Sequence, residues 1–135
     1  MTTGAEDADN RAAVERLYAA AARGDWASAE AELHPDLVIH EAGSLPYGGT
    51  WHGREALKQL YGRVLATWQN AGFEVEGFAA GDGRVVAFIT MSHDTPEGRR
   101  SHRIVEVSLM RDGKVAEMWP VYWDTAELVK LESKK

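Results

Sequence analysis

The chain has 135 residues and 44% hydrophobic content, the size and make-up of one globular domain. Its 21 acidic against 15 basic side chains leave a net charge of −6, which argues against a nucleic-acid groove or an anionic membrane surface as partner. There is no cysteine, so disulfides, thiolate nucleophiles and Cys-based zinc sites are excluded, and no apolar stretch approaches the ~20 residues of a membrane span.

The start, Met1–Ala8, is polar and acidic and reads as a disordered tail, with no apolar core for a signal peptide. A single domain is expected over residues 9–132, in the cytoplasm. Asp9 or Asn10 can cap a first helix whose apolar face is Val14, Leu17, Tyr18 and Ala21, ended by Gly24. Asp25 opens a shorter helix with Trp26, Ala29 and Leu33 inward, and Pro35 stops it. Leu37–Glu41 is a short β-rich run, and Ala42–His52 reads as a loop. A long helix is expected over Arg54–Asn70, with Leu57, Leu60, Tyr61, Val64, Leu65 and Trp68 at helical spacing and Gly72 terminating it.

The second half reads as an antiparallel meander. Phe73–Ala80, Arg84–His93, Arg99–Arg111 and Lys114–Trp123 are joined by Gly81-Asp82-Gly83, Asp94–Gly98 and Asp112-Gly113, each with hairpin chemistry. Asp124-Thr-Ala-Glu127 has the pattern of an N-cap with its capping-box acid and opens a short last helix. The last two long strands are apolar on both faces. A sheet covered on one side alternates with polar residues, so helices should cover one face and a second copy of the chain the other, giving a homodimer.

Glu106 breaks the apolar pattern. It shares an alternating face with His102, Ile104, Ser108 and Met110, while Val105, Val107 and Leu109 fill the opposite face. A carboxyl among apolar neighbours is desolvated, which raises its pKa and lets it donate a hydrogen bond near neutral pH. Alternation gives a pocket-facing set: Ile89, Met91 and His93; His102, Ile104 and Glu106; Met118, Pro120 and Tyr122; closed by Glu41, Tyr18 and Trp51. An apolar, aromatic wall with a few polar groups suits a small hydrophobic substrate. His102 lies ~13 Å along the strand from Glu106 and is placed to pair with His93 across the hairpin instead. None of the five histidines forms a ligand pair at helical or short-loop spacing and there is no HExxH, so neither a metal nor another cofactor is expected.

Five short runs carry a family resemblance. Ala22-Arg-Gly-Asp25 closes the first helix, His34-Pro-Asp36 precedes the first strand, and Leu45-Pro-Tyr-Gly-Gly-Thr-Trp-His-Gly-Arg-Glu55 leads into the long helix. Arg111-Asp-Gly-Lys114 and Trp119-Pro-Val-Tyr-Trp-Asp124 frame the last strand. In this order, over about residues 10–131, the chain resembles the nuclear transport factor 2-like superfamily, in its ketosteroid isomerase and SnoaL-like polyketide cyclase branch. The resemblance implies an α+β fold: a cone in which a curved, mainly antiparallel β-sheet wraps against three N-terminal helices around a central pocket.

It also implies roles. Glu106 falls at the isomerase's oxyanion-hole acid and Glu41 at its general base, while the helix-one tyrosine position holds Leu17, with Tyr18 alongside. The water-activating aspartate of the limonene epoxide hydrolase branch falls on Pro120. For the acid–base aspartate of SnoaL-like cyclases, Asp124 and Glu106 are both candidates. The catalytic candidates are therefore Glu41, Glu106, His102 and Asp124. The substrate-binding candidates are Tyr18, Trp51, Ile89, Met91, His93, Met118 and Tyr122. The chemistry implied is cofactor-free proton transfer next to a carbonyl, in a cyclase or double-bond isomerase, with a dehydratase or a non-catalytic ligand carrier as alternatives.

Overall fold

In the computed structural model, which describes residues 2–135, the first helix starts well before Asp9. α1 spans Gly4–Ala22, capped by Thr3, whose hydroxyl accepts from the Glu6 backbone N–H. Glu6 and Asp7 place negative charge at the positive end of the helix dipole. Residues 4–8, expected as tail, are thus helical, because Thr3 supplies the cap that Asp9 was expected to supply.

α2 (Trp26–Ala31) is capped by Asp25, as its sequence implies. β1 (Leu33–Glu41) begins earlier than expected and carries Pro35. Its ladder with the last strand shifts register between Leu33 and Val38. Proline has no N–H to donate, and this irregular stretch is where a strand tolerates it. Within the expected loop, β2 (Gly49–His52) pairs antiparallel with β1. α3 spans Ala56–Thr67.

The meander follows as β3 (Gly72–Gly81), β4 (Arg84–Thr95), β5 (Gly98–Arg111) and β6 (Lys114–Tyr122). At both Asp82-Gly83 and Asp112-Gly113 the two central residues have positive φ, at 51° and 74° and at 55° and 75°. That is the type I′ geometry that matches strand twist, and Asp-Gly is a pair that adopts it readily. α4 (Thr125–Ser133) closes the chain.

The six strands form one open sheet in the order β2-β1-β6-β5-β4-β3. Only the β1–β6 pair is parallel. Helices α1 and α3 cover one face. Val14, Leu17, Leu60 and Val64 join Leu37, Ile39, Ile89, Met91, Ile104 and Met118 in the core. Each such side chain contributes ~1.5–3 kcal/mol when fully buried. This is the α+β cone of the nuclear transport factor 2-like fold, its sheet curved but not closed. The outer face stays open. Phe88, Val105 and Val121 form one cross-strand row there, and Trp119 and Val121 are 43% and 50% exposed.

Candidate active site

Glu106 sits on β5 between Ala87 of β4 and Pro120 of β6. Neither neighbour can pair with a carboxyl, so its partner comes from outside the sheet. On α1, Leu17 is fully buried and the adjacent Tyr18 points along the sheet instead. The Tyr18 ring meets Phe78 edge-on at 5.6 Å, and its hydroxyl donates to Glu106 Oε1. Burial pushes the Glu106 carboxyl above its ordinary range, and the Tyr18 hydrogen bond partly offsets this. Burial, and then the Glu106 charge, hold the Tyr18 phenol well above its usual pKa, so it stays a donor.

Tyr18 and Glu106 share a wall of a cavity of about 270 Å³. Leu17, Ala21, Leu57, Val75, Ile89 and Met118 supply apolar lining. Three rings from three elements edge it: Trp26 and Tyr61 lie 5.6 Å apart, and Tyr61 and Phe73 also 5.6 Å. No Lys, Arg or His lines it among the described residues, and Glu106 is its one carboxyl. Three larger hollows exist, about 490 Å³ on the outer sheet face, about 480 Å³ beside the end of α3 and about 400 Å³ along α4. Their acids do not suit proton chemistry: Glu76 and Glu97 are exposed, Asp94 pairs with Arg99 at 2.7 Å, Asp124 caps α4 and Glu127 pairs with Arg100 at 3.7 Å. The smallest of the four joins an apolar wall to a shifted carboxyl and is the candidate site.

Glu41, the second carboxyl, is only 7% exposed and is not part of that wall. The parallel pairing of Ile39 with Met118, carried two residues on, sets Glu41 opposite Pro120. Glu41, Pro120 and Glu106 therefore lie in one row, with the acids two strand spacings, ~10 Å, apart. Burial pushes Glu41 up to about 7. Hydrogen bonds from Tyr122 and from the Ala42 N–H at 3.1 Å oppose this, and the Glu106 charge adds to it.

The other expected residues fall into separate places. Ile89 and Met118 join Tyr18 and Glu106 on the cavity wall. Tyr122 is not on the cavity wall; burial, and then the Glu41 charge, hold its phenol well above the usual range. Trp51 donates its indole N–H to the Tyr47 carbonyl at 3.0 Å. His93 and His102 pair through their Nε2 atoms at 2.8 Å, with stacked rings, beside Trp68. Met91 is buried in the core, and Asp124 accepts the Glu127 N–H as the cap of α4. Tyr47 and Trp68, and the cavity rings Trp26, Tyr61 and Phe73, were not among the expected site residues. For Trp26, Tyr61 and Trp68 the signal was the helical spacing that marked them inward. Tyr47 sits in a loop without periodicity. The loop folds back on itself through Leu45 N–H to Ala42 O at 3.1 Å and Gly48 N–H to Leu45 O at 2.9 Å. At Gly48 any Cβ would collide with the Ala42 carbonyl and Gly43.

Residues 14–118 match the model of the SnoaL-like domain family, and the chain belongs to that family. Among proteins of curated function none matches the sequence. Solved structures share the fold. TerC, crystallised with polyporic acid, superposes with a TM-score of 0.79 at 24% identity, over 93% of this chain and 98% of that one. A nuclear transport factor 2-like protein of unknown function from Burkholderia pseudomallei gives 0.77 at 26% identity, over 93% and 98%. Bal32a, from a soil-derived mobile gene cassette, gives 0.79 at 21% identity, again over 93% and 98%. No helix among the described residues is long and apolar enough to cross a membrane. No group of three metal-ligating side chains is present among them.

Proposed function

We propose that this protein is a cofactor-free acid–base enzyme of the cyclase or isomerase type, acting on a hydrophobic carbonyl compound. The observation that carries this reading is the Tyr18–Glu106 pair on the wall of an otherwise apolar cavity. As a carboxylate, Glu106 removes a proton α to the substrate carbonyl. As Glu106 takes up that proton it no longer needs the Tyr18 hydrogen bond, and the single Tyr18 proton turns to the substrate oxygen where negative charge develops, in a dry wall that strengthens the interaction. The protonated Glu106 then returns the proton, to the same carbon or to another. If the enolate instead closes on a second carbonyl, the product is a ring. Glu41 acts from behind the wall, through its charge, rather than on substrate. The outer row of Phe88, Val105 and Val121, with Trp119, supports a homodimer through that face.

The test is solvent deuterium uptake into a panel of cyclic and β,γ-unsaturated ketones. Wild type should exchange, and Glu106→Gln should lose the exchange while keeping its fold. Retained exchange in Glu106→Gln would remove Glu106 from the chemistry. Binding of the ketones without any exchange by wild type would make the cavity a carrier site.

A further inference from the structure

Tyr18 reaches Glu106 from outside the sheet, and the strands beneath it leave room for the crossing. Phe78 of β3, Ala87 of β4 and Glu106 of β5 stand in one cross-strand row. Phe78 and Glu106 are therefore two strand spacings apart, ~10 Å. The Tyr18 ring meets the Phe78 ring at 5.6 Å, with 80° between their planes, and its hydroxyl donates to Glu106. The phenol thus spans the row across Ala87, which is fully buried. We propose that Phe78 and Ala87 form a seat for the Tyr18 ring, Phe78 as the wall at its back and Ala87 as its low floor. Both are positioning residues for the acid–base pair. Neither lines the cavity, so neither touches substrate. The inference rests on the proposed function and deepens it. A ring that cannot slide leaves the hydroxyl one freedom, rotation about its C–O bond. Turning from Glu106 to a substrate oxygen requires that motion and no other.

A β-bulge puts Phe78 in this row. β3 pairs Val75 with Ile89 and Gly77 with Phe88, so Glu76 is one residue more than β4 can match. Regular pairing after Val75 would set Gly77 opposite Ala87 and turn Phe78 to the outer face. With the bulge, Phe73 and Val75 face the cavity and Phe78 still faces Tyr18. Thr90 Oγ1 donates to Glu76 Oε1 at 2.5 Å and ties the extra residue to β4. At the floor, a branched side chain would fill the space the phenol crosses, and alanine leaves it open. The titratable groups that face Glu106 are Tyr18 from α1 and, beyond Pro120, Glu41 from β1. The seat acts on the first alone.

The experiment is a carboxyl ¹³C NMR titration of Glu106 in the full-length protein, its signal assigned with Glu106→Gln. Tyr18→Phe removes the hydrogen bond and should raise the Glu106 midpoint by about one pH unit or more. Phe78→Leu frees the Tyr18 ring and should raise it by about half a unit, while Phe78→Tyr keeps an aromatic edge and should leave it in place. Ala87→Val should raise it as far as Tyr18→Phe does, because the added methyls displace the ring. In a Tyr18→Phe background neither Phe78→Leu nor Ala87→Val should move it further. Should Phe78→Leu fail to fold, Phe78→Met removes the ring with an unbranched chain that fills the gap. An unmoved midpoint in the folded Phe78 and Ala87 variants would overturn the inference. So would equal shifts in the Tyr18→Phe background, which would make both side chains packing residues only. The titration needs no substrate. The seat can therefore stand if the ketone assay fails, and fall if that assay succeeds.

Discussion

Tyr18 and Glu106 are 88 positions apart in the sequence, and the hydroxyl of one donates to the carboxyl of the other. The contact joins a helix that covers the sheet to a strand in its middle, at the one wall position where an acid meets the cavity.

That contact makes the two residues separable by pH. The Tyr18 hydrogen bond lowers the Glu106 pKa, so Tyr18→Phe raises it. Since the carboxylate is the reactive form, the rising limb of the rate profile should move to higher pH. The maximal rate should fall by about 10²–10³, the scale for losing one oxyanion donor. Glu106→Gln should cost ~10²–10⁴ on the alkaline plateau and abolish the rising limb. Rate measurements from pH 5 to 9 on any ketone that exchanges decide this, and an unshifted limb in Tyr18→Phe would deny the pairing its role.

Glu41 should make the fold more stable in mild acid than in base. Its folded pKa of about 7 lies above the ordinary carboxyl value of 4.5, so the folded state holds the proton more tightly. Between those values unfolding releases a proton, and stability falls as pH rises. Above pH 7 the whole penalty, ~3 kcal/mol, is present. Urea melts of wild type and Glu41→Gln should therefore diverge from pH 5 to 8, the variant gaining relative stability with rising pH. Parallel curves would contradict the shift.

The His93–His102 pair works in the opposite direction. Burial pushes both imidazoles down from 6.5, and only with at least one of them neutral can Nε2 meet Nε2. Unfolded histidines take up protons at higher pH than these do, so stability should fall as pH drops below 6.5. His102→Gln should flatten that acid limb in thermal melts. An unchanged limb would place the acid sensitivity elsewhere.

If the outer face pairs two chains, Val121→Arg should leave the fold intact and shift the species to monomer. A charge in the middle of the Phe88–Val105–Val121 row would be desolvated on association. Sedimentation velocity reads the outcome, and a wild-type monomer at high concentration would end the proposal.

The fold was legible because its signals are local. Helical spacing, Asp-Gly turns and the Asp124 cap each act within a few residues, and Glu106 stood out against an apolar strand. The site was only partly legible, because alternation assigns a face and not a neighbourhood. Glu41, Tyr122, His93 and His102 do face inward, yet Pro120 and the core separate Glu41 from the cavity wall, and the histidines lie at the other end of the strands. The Thr3 cap was missed because Asp9 carries an equally good capping side chain. Tyr47 was missed because its position depends on a loop closing on itself.

Gly48 ties that loop to everything behind the cavity. With the Ala42 carbonyl and Gly43 packed where a side chain would start, the position admits hydrogen and nothing larger. A saturation library selected for activity should return glycine there almost alone, while the neighbouring exposed Ser44 and Pro46 accept wide variety. Tolerance at this spot would be set by the thickness of a backbone crossing rather than by chemistry, and a natural variant here would inactivate the protein without touching a single reactive atom.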